Sequence, residues 1–235
     1  MKKYSRIKEE AYLANMELYS KGLAVYTFGN ASSFDSGESV FAIKPSGVPY
    51  DKLKVSDMVV VDLDNKTVEG KLRPSSDTKT HSRLYRSFKG IGGACHTHSP
   101  YATAWAQAKK SIPILGTTHA DHLPCPIPCT AELTAKMING DYEDMTGSAI
   151  VETFRKLKIS PLHVSMVLVA CHGPFTWGKN AAESVYNAVI LEELAKIAFV
   201  TLQVNPNAKN ISKTLIEKHF QRKHGAKAYY GQGKN

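Results

Sequence analysis

Long uncharged apolar segments are missing from this sequence. Its most apolar stretches, such as VSMVLVA at residues 164–170, are far too short to cross a bilayer, so we expect no membrane anchor. The N-terminal segment carries charged side chains throughout and lacks the apolar core of a secretory signal, which favours the cytoplasm. Cysteine is also scarce, with four in the chain. Without a secretory signal, these indicate reduced thiols rather than a disulfide framework.

Repeats, low-complexity tracts and Pro/Gly/Ser-rich linkers are also absent from the sequence. Of its 235 residues, 43% are hydrophobic and 22% are charged, which is an ordinary globular composition. A chain of this length can bury most of its apolar surface in one core. We therefore predict a single domain over residues 1–235.

Positive charge exceeds negative charge, giving a formal net charge of +9. The basic residues are spread along the chain, and the densest stretch, KHFQRKHGAKAYYGQGKN at 218–235, contains no recognisable nucleic-acid motif. We therefore expect no nucleic-acid partner. An anionic small-molecule substrate accounts better for the excess.

The hydrophobic pattern alternates between helix and strand periods. It predicts a three-layer α/β/α fold, in which helices cover both faces of a central sheet. The predicted helices cover 5–21, 80–88, 100–109, 148–158, 180–204 and 212–225. The predicted strands cover 41–44, 57–63, the segment GGACHTH at 92–98, and 164–171.

Two histidines, His96 and His98, stand one residue apart in GGACHTH. Alternate side chains of an extended segment project from the same face, so both imidazoles would point the same way. Neutral imidazole is the commonest protein metal ligand. The pattern alone leaves metal binding and two ordinary half-buried histidines about equally plausible.

Two further segments add candidate ligands. PSSDTKTH places Asp77 in a loop before a helix, and CHGPFTWGKN places His172 at the end of a buried strand. Loops that follow strands often form the sites of α/β proteins. Three imidazoles and one carboxylate suit Zn²⁺ or another first-row divalent metal.

A structural zinc site built from cysteines is the competing interpretation. Cys125 and Cys129 are separated by three residues, but two of these are prolines. Cys95 and Cys171 each directly precede a histidine, and strand neighbours face opposite sides. We therefore predict that the cysteines are small core residues.

Longer motifs give the chain a resemblance to a known family. It resembles the L-ribulose-5-phosphate 4-epimerases of the class II aldolase/epimerase superfamily from about residue 5 to residue 232. The motifs that carry the resemblance are GNASSF, IKPSG, PSSDT, HTH, GTTHAD, CHGPFTWGKN and RKHGAKAYYGQ.

The resemblance implies a mixed, mostly antiparallel sheet flanked by helices, and a homotetramer with active sites between adjacent subunits. It implies a Zn²⁺ cofactor, which Mn²⁺ or Co²⁺ can replace. The residues that match the family's metal ligands are Asp77, His96, His98 and His172. The related fuculose-phosphate aldolases have Glu at the position of Asp77, so the shorter side chain favours the epimerases.

The resemblance also assigns residues to the substrate. Asp121 and Tyr230 match two groups that exchange protons with substrate from the neighbouring subunit, while Thr117 and His219 are possible supporting residues. Without the resemblance, Asp121 would be interpreted as a turn-capping residue. The phosphate pocket of the family corresponds to Asn30, Lys44, Ser46, Gly47, Ser75 and Ser76.

The expected activity is the interconversion of L-ribulose 5-phosphate and D-xylulose 5-phosphate, which links arabinose or ascorbate catabolism to the pentose phosphate pathway. In this reaction the C3–C4 bond is cleaved by a retro-aldol step, glycolaldehyde phosphate rotates, and the bond re-forms. A class II sugar-phosphate aldolase, which releases the fragments, is the main alternative. A binding module without catalysis is the third.

Overall fold

Seven strands of one sheet form the centre of the molecule in our computed structural model, which describes residues 3–225 and 228–229. The strands are β1 (Asn30–Asp35), β2 (Val40–Ile43), β3 (Val59–Asp62), β4 (Thr67–Glu69), β5 (Gly93–His96), β6 (Met166–Leu168) and β7 (Pro174–Gly178). The α-helices are α1 (Ser5–Ser20), α2 (Thr78–Ser87), α3 (Pro100–Gln107), α4 (Thr117–Ala120), α5 (Ala135–Ile138), α6 (Tyr142–Leu157), α7 (Ala181–Val204) and α8 (Lys213–His224). Short 3₁₀ turns lie at Tyr50–Lys52 and Val55–Asp57.

The strand order is β4-β3-β2-β1-β5-β7-β6, and every neighbouring pair is antiparallel. A single parallel bridge joins Cys129 to Leu168 outside the named strand pairs. In the central pair, Asn30 lies opposite His96. Asn30, the first residue of β1, and His96, the last residue of β5, therefore lie at the same end of the sheet.

Side chains of the sheet alternate between two apolar cores. On β2, Phe41 and Ile43 face one core, whereas Val40 and Ala42 face the other. Helices α1 and α7 pack on the second face, while α2 and α6 cover the first. This confirms the predicted three-layer α/β/α class, because each sheet face buries its apolar residues under helices.

Most predicted elements occur where the periodicity places them. Helix α1 ends before Gly22, which has φ +71°, and α7 begins after Asn180, whose side-chain oxygen accepts a hydrogen bond from the Glu183 backbone. Helix α6 starts earlier than predicted, at Tyr142 rather than at residue 148. Its polar first turn gave no apolar periodicity.

Strand β1 was missed because its sequence, NASSFD, is largely polar. The strand is buried although it is polar, because its polar side chains form hydrogen bonds. Ser32 Oγ lies 2.7 Å from His81 Nδ1 and 2.6 Å from the Tyr85 hydroxyl. The Asn15 side chain hydrogen-bonds both backbone groups of Ala31. These bonds satisfy the buried Ser32 hydroxyl and the backbone of Ala31, whereas the buried Oδ1 of Asn30 has no hydrogen-bond partner among the described residues. The sequence pattern also predicts no strand over residues 174–178, where the structure has β7.

No helix within the described ranges combines the length and the apolar character that a bilayer crossing requires.

Candidate metal centre and active site

Strand β5 carries the first two histidines into one site. His96 is its last residue and His98 follows two positions later, so both rings project from the same side. Their Nε2 atoms lie 3.1 Å apart. The predicted orientation of the H-x-H motif is therefore observed.

His172 reaches the same site from the turn between β6 and β7. One nitrogen of each of the three imidazoles lies within 4.8 Å of the others, and the His172 ring centre is 4.7 Å from that of His96. His172 is not a strand terminus, as the sequence suggested, because β6 ends at Leu168. Cys171, which precedes it, has φ +62° and is exposed. The prediction that Cys171 is a core residue is therefore wrong.

The hydrogen bonding of His96 suits a metal ligand. Its Nδ1 lies 2.9 Å from the carbonyl oxygen of Pro174 and must donate, because a carbonyl only accepts. In a neutral His96 this leaves Nε2 without a hydrogen, and Nε2 faces the His98 Nε2. Two imidazole nitrogens on one tetrahedral Zn²⁺ would be roughly 3.3 Å apart, since Zn–N bonds are about 2.0–2.1 Å. The three imidazoles therefore fit a divalent metal, with a backbone carbonyl orienting the ligand from behind.

Asp77 lies beside the three imidazoles, at the N-cap of α2. One of its oxygens accepts a hydrogen bond of 2.6 Å from the Asn30 amide. Burial acts to raise the pKa of the Asp77 carboxyl. The neighbouring His96 and His81, together with the Asn30 amide, outweigh this effect, so the pKa lies below its usual value. An ionised carboxylate thus lies near the histidines, but among the described residues Asp77 is not part of the cluster whose ligand atoms lie within 4.8 Å of one another. Its role as a fourth ligand stays a prediction.

The protein environment keeps two of the imidazoles neutral. Burial, with a smaller effect of His96, lowers the pKa of His172 to about 4. Desolvation and His96 also lower the pKa of His98. Neutral imidazole is the form that binds metals, so these shifts favour metal binding at neutral pH.

A cavity of about 390 Å³ opens in front of the histidines. Its lining includes all four candidate metal ligands and all six residues predicted for the phosphate. These six come from three loops and strand ends: Asn30, Lys44, Ser46, Gly47, Ser75 and Ser76. The fold brings these segments together because the backbone N–H of Ser46 bonds the Arg73 carbonyl and that of Ser75 bonds the Lys44 carbonyl.

Lys44 is the buried cation of this cavity, with 2% of its surface exposed. Its ammonium lies 4.8 Å from the centre of the Tyr50 ring and 3.4 Å from the Pro45 carbonyl oxygen. Burial lowers its pKa to about 8. Within residues 3–225 and 228–229 no carboxylate forms a salt bridge with it. A buried ammonium in this position favours an anionic ligand.

Besides Gly29 and Pro45, which belong to the motifs GNASSF and IKPSG, four lining residues were not identified from the sequence: Thr27, Phe28, Tyr142 and Glu143. The Tyr142 hydroxyl lies 3.4 Å from His172 Nδ1, and the Phe28 ring packs edge-on against His98. Tyr142 and Glu143 open helix α6, whose early start the periodicity did not reveal. No motif marked them, so only the tertiary structure places them at the cavity.

Asp121 and His219 form a second cluster, outside this cavity. The Asp121 carboxylate accepts hydrogen bonds from His219 Nδ1 at 2.9 Å and from Arg222, at 2.9 Å from Nε and 2.7 Å from Nη2. Thr117 begins the short helix α4, which Asp121 follows. Within one chain these predicted residues do not line the metal cavity.

Tyr230, the other predicted proton-transfer residue, lies outside the described residues. Its neighbour Tyr229 is described, and the Tyr229 backbone N–H donates to the Arg222 carbonyl at 3.0 Å. The end of α8 therefore contacts both Asp121 and the residue that precedes Tyr230.

The cysteines do not form a metal site in the part of the chain that is described. There, only the three histidines bring three or more His, Cys, Asp or Glu ligand atoms together. Cys95 is fully buried, as predicted, while Cys125 and Cys129 are partly buried. The structure therefore does not support the cysteine-based zinc site.

Comparisons with known proteins agree with this geometry. Residues 9–199 match the family model described as "Class II Aldolase and Adducin N-terminal domain". The chain is 50% identical over 227 residues to proteins named L-ribulose-5-phosphate 4-epimerase UlaF from Salmonella paratyphi A and Salmonella typhi, covering 97% of this chain and 99% of each relative. A solved structure named L-fuculose 1-phosphate aldolase superposes with a TM-score of 0.76 at 25% identity, covering 92% of this chain and 95% of its own.

Proposed function

Since the chain belongs to the class II aldolase and adducin N-terminal domain family, we propose that it is a metal-dependent L-ribulose-5-phosphate 4-epimerase. The observation that carries the proposal is the shared cavity. Three converging imidazoles and the Asp77 carboxylate lie at one part of it, and the buried Lys44 ammonium lies at another. A site with a metal centre and a buried cation suits a sugar phosphate.

The proposed metal is Zn²⁺, with Mn²⁺ or Co²⁺ as substitutes. His96, His98 and His172 would hold it, with Asp77 as the fourth protein ligand. When bound, the metal supplies a Lewis acid for the oxygens of the ketose. The protein residues contribute binding, orientation and proton transfer.

The lining residues that are not metal ligands would bind the phosphate. The hydroxyls of Ser46, Ser75 and Ser76 and the ammonium of Lys44 provide donors and positive charge for a phosphate ester. The Asn30 amide donates to Asp77 and to Ser75 Oγ, at 2.6 and 3.1 Å. Asn30 therefore connects the proposed phosphate pocket to the proposed metal ligands.

Inversion at C4 needs cleavage of the C3–C4 bond, because the carbonyl lies at C2 and the C4 hydrogen is not acidic. We assign the proton of the C4 hydroxyl to Asp121. As it leaves, the C4 carbonyl forms and the C3–C4 bonding pair stays on C3, giving glycolaldehyde phosphate and the dihydroxyacetone enediolate. After rotation of the aldehyde, the bond re-forms, and Tyr230 protonates the new C4 oxygen.

Asp121 is outside the metal cavity of its own chain, so this assignment requires a neighbouring subunit. We propose a homotetramer in which Asp121 and Tyr230 of one subunit complete the cavity of the next. The partners in this proposal are a second copy of the chain and a small sugar phosphate, with no nucleic acid or membrane. We propose that the chain forms a single domain, is located in the cytoplasm and acts in arabinose or ascorbate catabolism.

An aldolase is the second candidate, favoured by the similarity to a solved fuculose-phosphate aldolase. The aspartate at position 77 and the greater identity to proteins named as epimerases support epimerisation instead.

The test combines metal analysis and two assays on one purified sample. We expect about one metal ion per subunit and conversion of L-ribulose 5-phosphate to xylulose 5-phosphate in a coupled assay. Release of dihydroxyacetone phosphate from a ketose 1-phosphate, without formation of xylulose 5-phosphate, would identify an aldolase. A protein with bound metal and neither activity would contradict both candidates.

A further inference from the structure

Arg222 makes a two-pronged contact with the Asp121 carboxylate. Its Nε donates to Oδ1 at 2.9 Å and its Nη2 to Oδ2 at 2.7 Å. The Arg222 and Asp121 side chains are 25% and 14% exposed, so the pair is largely removed from solvent. A bidentate guanidinium–carboxylate pair of this kind fixes the plane and direction of the carboxylate.

Other groups on α8 surround the same carboxylate. His219, one turn before Arg222, donates to Asp121 Oδ1 at 2.9 Å, and His224 Nε2 lies 2.9 Å from the Asp121 carbonyl oxygen. His122 and Lys223 are further titratable groups in this region. Helix α8 thus contributes most of the polar contacts that Asp121 makes.

The two-pronged contact alone does not set Arg222 apart, because Arg83 makes a similar, partly buried contact with Asp144 between helices α2 and α6. Exposed ion pairs within one helix differ from both. Arg155, for example, bonds Glu152 through two nitrogens, but 73% of its side chain is exposed and the pair lies within one helix. Arg222 instead joins two elements far apart in sequence, and its carbonyl also accepts from Tyr229. Arg222 thus contacts both Asp121 and Tyr229, the residue that precedes Tyr230 in the sequence.

We propose that Arg222 is the positioning residue of the reaction: its guanidinium keeps the Asp121 carboxylate ionised and aimed, so that Asp121 accepts the C4 hydroxyl proton. This inference rests on the proposed function. Arg222 keeps its own protons throughout, and the proton taken by Asp121 leaves to solvent before the next cycle.

Electrostatics agree with this geometry. Burial acts to raise the pKa of Asp121, but Arg222 and His219 outweigh it and lower the pKa below its usual value. Removing the guanidinium therefore raises the pKa of Asp121. Because the reactive form is the carboxylate, the acid side of the activity profile must then move to higher pH.

The experiment compares the metal-loaded parent enzyme with R222A and R222K. We expect R222A to keep its metal and its fold and to lose about 100-fold or more in kcat, the usual scale of one acid–base contribution. The acid limb of its kcat/KM profile should move up by about one pH unit or more. Added guanidinium ion at millimolar concentration should restore part of the rate, whereas urea should not.

R222K keeps the positive charge but cannot make the two-pronged contact, so it tests the geometry separately from the charge. It also replaces R222A in the test if R222A does not fold. We expect R222K to recover the pH profile more fully than the rate. R155A is the matched control and should keep the parental kcat and profile. Parental kcat and profile in folded R222A, or in R222K when R222A does not fold, would overturn the inference. An inactive parent enzyme would instead contradict the proposed function.

Discussion

Each imidazole of the candidate metal centre is held by a different kind of contact. His96 is buried and donates to a backbone carbonyl, His172 lies near the Tyr142 hydroxyl, and His98 packs against the exposed Phe28 ring. His98 is the most exposed of the three. It is therefore the ligand whose removal should disturb the fold least.

Substitution of His98 by asparagine tests the metal centre at the residue scale. We expect H98N to lose metal affinity by about 100-fold or more, together with activity, because one imidazole ligand is gone. Its free energy of unfolding in urea, measured without metal, should change by less than about 0.5 kcal/mol. Metal content from mass spectrometry and a coupled assay provide the readouts. Full turnover after stoichiometric metal loss would rule out a catalytic metal.

The low pKa of Lys44 predicts how phosphate binding depends on pH. Its pKa of about 8 is below the ordinary value of 10.5, so the folded protein loses this proton first. Affinity for a phosphate ester should therefore be highest below pH 8 and fall as the pH rises through that value. Between about pH 8 and 10.5 the unfolded chain binds more protons, so this group makes stability rise with pH.

The K44M variant separates this effect from other titrations. We expect its KM for the sugar phosphate to be about 10- to 100-fold higher, since a charge-assisted hydrogen bond is lost. Its KM should also lose the rise above pH 8. K52M, which removes an exposed lysine, is the control and should behave like the parent. A KM in K44M that keeps the parental pH dependence would exclude Lys44 as the phosphate ligand.

At the scale of secondary-structure elements, the packing of strand β5 against helix α7 fixes the position of the H-x-H motif. The glycine pair before the motif explains how this contact is possible. A Cβ on Gly93 would lie 2.3 Å from the Asn180 carbonyl oxygen and 2.4 Å from the Ala181 nitrogen. Gly92 is equally close to the Lys179 carbonyl. Only glycine lets the backbone of β5 approach the start of α7 so closely.

We expect G93A to destabilise the protein by about 1–3 kcal/mol or more, because backbone atoms on both sides must move apart. The shift should also lower metal affinity, since His96 lies three residues further along β5. G116A is the matched control: its Cβ would meet no atom within 4 Å, and we expect a loss below about 1 kcal/mol. Equal urea midpoints for the two variants would show that the close approach does not matter.

At the scale of the whole molecule, the separation of the two clusters is the main observation. Asp77 lines the metal cavity, whereas Asp121 is bound to α8 outside it. Shared sites between neighbouring subunits would resolve this separation. The exposed apolar residues of α7, among them Ile197, Phe199 and Val200, offer surface for such an assembly.

Mixing two inactive variants tests the shared site. If D77N and D121N subunits are unfolded and reassembled together, about one quarter of the sites in a cyclic tetramer should be intact, and activity should return to that level. D77N mixed with H98N should recover nothing, because both residues belong to the same half of the site. No recovery in the first mixture, with mixed tetramers verified by mass spectrometry, would contradict shared sites.

Several features followed from the sequence alone. Apolar periodicity predicted α1, α7, β2, β3 and β6, and the motifs indicated the family, which the comparisons confirmed. The H-x-H pattern predicted two imidazoles on one face because strand alternation is a local property of the backbone. The roles of the individual site residues stay predictions.

Other features depended on the tertiary structure, because they involve partners distant in the chain. Polar strand β1 is recognisable only once Ser32 meets Tyr85 and Asn15 meets Ala31. The position of Tyr142 at the cavity and the fork of Arg222 on Asp121 join residues 30 and 101 positions apart. Local pattern determines which residues can carry the chemistry, whereas long-range packing and hydrogen bonding decide which of them meet.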